Sequence, residues 1–118
     1  MGCIFCSIVE GDEEAERVYE DEHAVGFLDV EPASEGHTLV VPRKHREKLV
    51  ELTDRETGQL FTAVRKVAEK LREKTDCDGI NIVQSNGEQA GQEIPHLHVH
   101  VVPRNKEDSI NIEFFTKG

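Results

Sequence analysis

His96-Leu97-His98-Val99-His100-Val101-Val102 is the stretch that decides the fold. Side chains on a strand alternate faces at every residue. The run therefore predicts a strand over 97–102, with His96, His98 and His100 on one face and Leu97, Val99 and Val101 packed on the other. A strand rises about 3.3 Å per residue, which sets the outer histidines roughly 13 Å apart. Two neighbouring imidazoles can converge on one ion, but three cannot unless the strand bends. A three-histidine zinc hydrolase site is disfavoured on that ground. The remaining reading is chemical. A neutral imidazole is a nucleophile at physiological pH and also moves protons. The preceding loop, with Asn86, Gly87, Gly91 and Gln92, offers amides to the same anion. That combination suits attack at phosphorus.

Outward from this strand, Pro103 closes it and a fourth strand is expected over 79–84. Leu60, Val64, Val67, Ala68 and Leu71 recur at helical spacing and predict a core-facing helix over 54–73. Thr53 and Glu56 in front of it fit a capping box. Three further strands are expected at 17–19, 24–28 and 38–41, the last ended by Pro42. The first ten residues read as a knuckle-like turn. Residues 105–118 read as a C-terminal tail that packs through Phe114 and Phe115 on this body or on a second subunit. Strands, a helix and more strands with short connections predict an α+β fold, an antiparallel sheet with helices packed on it. The 118 residues fit a single domain, 1–118.

Composition narrows the function. Asp and Glu number 24 against 14 Lys and Arg, a formal net charge of -10. No nucleic acid partner is expected from such a surface. The short basic stretch Arg43, Lys44, Arg46 and Lys48 reads as a solvated loop. No apolar run is long enough to span a membrane, and no secretory signal is visible, so a cytoplasmic location is expected. Three cysteines in such a chain argue against a disulfide framework. Cys77 reads as a free thiol and His23 as an ordinary surface histidine.

The sequence resembles the histidine-triad (HIT) family of nucleotide hydrolases and transferases. The resemblance runs over roughly residues 3–104. It is carried by the triad stretch, by Phe27-Leu28-Asp29, Gly36-His37-Thr38-Leu39-Val40-Val41-Pro42, Arg43-Lys44-His45 and Ala90-Gly91-Gln92, and by the Cys-x-x-Cys start. The compact, nucleoside phosphoramidase-like branch is the nearest in pattern. The resemblance implies a five-stranded antiparallel sheet with two helices, made continuous across a homodimer. It implies that His98 attacks the α-phosphorus of a nucleotide and that water then releases the nucleoside monophosphate. His98 Nδ1 would be held by a carbonyl near His100, leaving Nε2 free. His100 and His37 would contact the phosphate. Asn86 and Gln92 would hold phosphate or the bridging oxygen, and Asp29 would take the ribose hydroxyls. Phe5, Ile8, Phe27 and Leu39 would sandwich a base, preferably a purine. Many members carry Ser where this chain has Glu93. A carboxylate there favours a cationic amine as leaving group or repels an anionic phosphate.

Cys3 and Cys6 supply two soft ligands, and a closed tetrahedral zinc site needs two more. The chain has no second cysteine pair, so histidines remain, with His45 and His96 as candidates. Zinc-containing members of the resembled family use the matching positions. Such a Cys2His2 site would be structural Zn2+. Competing functions are a dinucleoside polyphosphate hydrolase or a nucleotidyltransferase with the same intermediate, and a non-catalytic nucleotide-binding module.

Overall fold

Leu60, Ala63, Val64, Val67 and Leu71 form one buried stripe on the long helix Asp54–Lys74, and that stripe sets the architecture. The computed structural model describes residues 2–111. In chain order the elements are α1 (Ile4–Glu10), β1 (Arg17–Glu20), β2 (Ala24–Leu28), β3 (Thr38–Pro42), α2 (Asp54–Lys74), β4 (Gly79–Val83) and β5 (Val99–Arg104), with short 3-10 turns at Leu49–Glu51 and Glu88–Ala90. The strands form one sheet in the order β1-β2-β3-β5-β4. Every neighbouring pair is antiparallel. The expected α+β class, with five strands and two helices, is the observed one.

The pleat of β2 and β3 divides the core in two. Ala24 and Val40 join Leu97, Val99, Val101 and the α2 stripe on one face. Val25, Phe27, Leu39 and Val41 join Phe5 and Ile8 of α1 on the other. Gly26 lies under α2, where a Cβ would come within 3.3 Å of Val67 Cγ2. The absent side chain lets the helix approach the sheet. The capping box forms as expected. The Thr53 hydroxyl accepts from the Glu56 amide at 3.1 Å, and the Glu56 carboxylate accepts from the Thr53 amide at 3.0 Å.

Two local expectations are corrected. The knuckle-like turn is a helix: Cys3 Sγ accepts from the Cys6 amide at 3.3 Å and caps its start. Gly11, at φ 87°, ends it by giving its N–H to the carbonyls of Ser7 and Ile8. A seven-residue helix is too short to be stable alone or to show clear periodicity. The second correction concerns β5, which begins at Val99 rather than Leu97. The Leu97 amide leaves the sheet and donates to the Arg46 carbonyl at 2.6 Å. The inward alternation survives, since Leu97, Val99 and Val101 are fully buried against α2. Phe114 and Phe115, expected to pack the tail, lie outside the described residues. Within the described part of the tail, Asp108 pairs with Arg104 at 2.9 Å.

Candidate active site and metal centre

Because Leu97 is diverted to Arg46, His96 sits in a bend ahead of β5, on the α1 face of the sheet. It is fully buried. Its Nε2 lies 3.1 Å from the Pro42 carbonyl, which can only accept, so Nε2 carries the proton and Nδ1 is bare. That bare nitrogen faces Cys3 Sγ at 3.3 Å and Cys6 Sγ at 3.6 Å. His45 Nδ1 approaches Cys6 Sγ at 3.2 Å. Two sulfurs and two ring nitrogens thus lie within 4.8 Å of one another. The donor set fits a closed structural zinc site, and His96 makes the outer hydrogen bond to a carbonyl that metal-bound imidazoles make. Burial pushes the Cys6 thiol up to about 11, with Cys3 reinforcing it. The Cys6 thiol is therefore protonated at pH 7, and a bound dication would displace that proton.

His98, two residues on, lines the neighbouring cleft. Its Nδ1 is 2.8 Å from the carbonyl of His96. The carbonyl is that of the residue two places earlier, not one near His100 as expected. The consequence for the ring is the same: Nδ1 carries the proton and Nε2 keeps its lone pair. Phe5 of α1 packs edge-on against His98 with ring centroids 5.2 Å apart, and against Phe27 at 5.4 Å.

His98 and His100 open onto a cleft of about 580 Å3. Phe5, Ile8, Phe27 and Leu39 form its apolar wall, and Asp29 lies in its lining. The register Leu39↔His100 and Phe27↔Leu39 places three of these residues side by side across β2, β3 and β5. Glu13, Glu14, Glu31 and Glu93 also line the cleft, and no Lys or Arg does so among the described residues. This acidic lining was legible only at Glu93. Glu13 and Glu14 follow α1 in a stretch with no motif, and only the fold brings them here.

Three expected residues are engaged elsewhere. Asn86 Oδ1 accepts from the Leu49 amide at 2.8 Å and from Gln84 Nε2 at 3.0 Å. Gln92 is buried. Its Oε1 accepts from the Gly87 amide at 2.8 Å, and its Nε2 donates to the carbonyls of Glu47 and Ile94 at 2.8 and 3.1 Å. Both side chains pin the loop to the turn after His45 and stay off the cleft wall. His37 is the third. Its Nδ1 accepts from the Ala33 amide at 3.0 Å, and its Nε2 lies 3.0 Å from His100 Nδ1. Both ring nitrogens are occupied within the protein.

Asp29, His37 and His100 bring a second trio of ligand atoms within 4.8 Å. The tautomers set it apart from the cysteine centre. A ligating neutral imidazole has its proton on the far nitrogen, where it is donated. On His37 that nitrogen faces the Ala33 N–H, a donor, so metallation of Nε2 would break that bond. His37 and His100 are instead joined by a hydrogen bond of 3.0 Å, with Asp29 Oδ2 alongside, 3.6 Å from His37 Nε2. Burial holds His37 below its ordinary value and lowers His100 to about 4, so both rings are neutral at pH 7. A separate cavity of about 440 Å3 lies by the basic stretch. There Arg46 and Lys44 pair with Glu56 at 3.0 and 3.6 Å, and Arg43 with Glu20 at 3.2 Å.

The sequence profile of the HIT domain matches residues 10–107. An uncharacterised HIT-like protein of Methanocaldococcus jannaschii is 47% identical over 112 residues, 95% of this chain and 86% of its own length. The adenosine 5'-monophosphoramidase of Schizosaccharomyces pombe is 36% identical over 108 residues, 92% and 78% of the two chains. Among solved structures, a HIT family protein of Bacillus subtilis superposes with a TM-score of 0.92 at 42% identity, over 97% of this chain and 82% of that one. A zinc-bound histidine triad protein of Mycobacterium smegmatis gives 0.88 at 38%, over 96% and 82%.

Proposed function

The chain belongs to the HIT domain family, and from that premise we propose that it hydrolyses purine nucleoside phosphoramidates or related nucleoside monophosphate adducts. One observation carries the reading: the His96 carbonyl holds the proton of His98 on Nδ1, so a bare Nε2 stands beside a cleft with an aromatic wall. His98 Nε2 attacks the α-phosphorus. An N–P bond to His98 forms, the bond to the leaving amine breaks, and the amine departs with a proton drawn from solvent, which the attacking water gives back in the next step. Water then attacks the nucleotidyl-histidine, the nucleoside monophosphate leaves, and His98 returns to its starting tautomer. Phe5, Ile8, Phe27 and Leu39 hold the base, and Asp29 accepts from the ribose diol. His100 contacts the phosphate. Asn86 and Gln92 act on the phosphate through the loop that they pin.

The leaving group follows from charge. A cleft lined by Glu13, Glu14, Glu31 and Glu93, with no Lys or Arg among its described lining residues, repels a polyphosphate tail. That disfavours a dinucleoside polyphosphate and favours an amine. A substrate panel tests this on the wild type and on Glu93→Ser. The wild type is expected to turn over adenosine 5'-phosphoramidates faster than diadenosine polyphosphates, and Glu93→Ser is expected to narrow the gap. An unchanged ratio in the variant removes Glu93 as the determinant. Diadenosine polyphosphates as the better wild-type substrates would overturn the reading of the leaving group.

Cys3, Cys6, His45 and His96 would hold a structural zinc, which ties α1 to the loop after β3 and to the triad. The exposed edge of β4, where Ile82 is 50% exposed, supports pairing with a second copy into one continuous sheet. Light scattering tests the dimer: twice the chain mass of 13.3 kDa is expected, and a monomeric mass refutes it.

A further inference from the structure

We infer that His37 is a positioning residue, which uses the backbone N–H of Ala33 to fix the proton of His100 on Nε2. One hydrogen-bonded chain links Ala33, His37 and His100. The Ala33 amide can only donate, and it points at His37 Nδ1 from 3.0 Å. That nitrogen must therefore be bare, and the proton of the neutral ring is on Nε2. His37 Nε2 then donates to His100 Nδ1, 3.0 Å away. His100 Nδ1 is thereby an acceptor, and its own proton is on Nε2. That last nitrogen has no hydrogen-bond partner among the described residues, and His100 lines the cleft.

The chain spans three parts of the fold: the turn after Pro32, the start of β3, and β5. Asp29 Oδ2 lies 3.6 Å from His37 Nε2, beyond a good hydrogen bond, and Asp29 Oδ1 is taken by the Glu31 amide at 3.0 Å. The carboxylate biases His37 towards keeping its Nε2 proton without taking that proton from His100. His98 and His100 thus stand as an opposed pair, centroids 5.1 Å apart. His98 offers a lone pair from Nε2, and His100 offers an N–H from Nε2. The orientation of His37 also explains why it is absent from the cleft wall.

The benefit of this chain for turnover rests on the phosphoramidase reading, because a donor at His100 serves a phosphoryl oxygen on which charge builds. The tautomer itself does not rest on that reading. It is tested without substrate, by long-range nitrogen-proton NMR of the zinc-loaded protein with labelled histidines. The wild type is expected to show His100 with an unprotonated, pyridine-like Nδ1 and a protonated Nε2. In His37→Leu the two His100 nitrogen resonances are expected to converge as the tautomers mix. In His37→Gln, whose amide both accepts and donates, they should separate again. With adenosine 5'-phosphoramidate, His37→Leu should lose kcat with little change in KM, and His37→Gln should recover part of it. A proton on Nδ1 of wild-type His100 overturns the inference. So does an unmixed tautomer in folded His37→Leu. If His37→Leu does not fold, the wild-type and Gln spectra still decide. The expected spectra together with no turnover would uphold the chain and remove the phosphoramidase reading alone.

Discussion

His98→Ala is expected to abolish AMP release from adenosine 5'-phosphoramidate while the protein stays folded and keeps its affinity for AMP. His98 is the one triad ring with a lone pair free at the cleft. The Nδ1 of His96 faces sulfur, and the Nδ1 of His100 is taken by His37. Acid–base assistance by a positioned side chain contributes on the order of 10²–10⁴-fold. Loss of the attacking atom itself should cost at least about 10³-fold, since no neighbour can replace it. The loss should fall on kcat, because the base wall of Phe5, Ile8, Phe27 and Leu39 is untouched. Wild-type protein quenched in acid-free conditions during turnover should carry AMP on a histidine, and the variant should carry none. Residual hydrolysis near the wild-type rate would remove the nucleophile assignment. Silence from both proteins, with AMP still bound, would favour the non-catalytic nucleotide-binding module.

Stripping zinc, or replacing Cys6 by Ala, is expected to produce the largest loss of stability. Structural zinc contributes apparent binding free energies of about 10–16 kcal/mol at pH 7 in small zinc-finger peptides, against about 5–15 kcal/mol for a whole domain. Here the α2 face of the sheet has its own core, so part of the fold should outlast the metal. If only ~3 kcal/mol of that contribution is lost, Tm should fall by about 12 °C or more. The damage should start at α1, whose cap Cys3 and first-turn Cys6 would both be ligands and whose Phe5 and Ile8 wall the cleft. Nucleotide affinity should therefore fall with the metal content, with His98 still present. Metal analysis should find one zinc per chain in protein purified without added zinc. Less than about a tenth of an equivalent, or an unchanged Tm after chelation, would end the proposal.

The two predictions draw on one residue in different ways. His96 gives its Nδ1 to the cysteine cluster and its carbonyl to His98. The candidate metal centre and the proposed nucleophile thus share one residue, His96, so the orientation of its ring and of its carbonyl are set together.

The α2 stripe, its capping box and the alternation of residues 97–101 were legible because each is a local pattern with a fixed period or a paired cap. The separation of His96 from His98 and His100 was partly legible, since strand geometry forbids all three from sharing one ion. Helix α1 was not, because seven residues held by a cysteine cap and Gly11 carry too little periodicity. The late start of β5 was not either, because it depends on the Arg46 carbonyl, fifty-one positions before Leu97. The resemblance to HIT proteins pointed to His37 as a phosphate contact. The sequence has no sign that an amide four residues earlier, Ala33, takes one of its nitrogens.

By itself, then, the sequence determined which side chains of the α2 stripe and of residues 97–101 turn inward and that the triad histidines lie on the opposite face, because faces follow from backbone period. The tertiary structure decided which nitrogen of His96, His37 and His100 bears a proton, and which carbonyl holds that of His98. That depends on whether a carbonyl or an amide meets the ring: Pro42 for His96, His96 for His98, Ala33 for His37. The Pro42 carbonyl is fifty-four positions from His96, and the nearer partners of His98 and His37 depend on the bend at His96 and the turn at Ala33. The acid-lined cleft is of the same kind, because Glu13, Glu31 and Glu93 meet only when α1, the end of β2 and the loop before β5 converge.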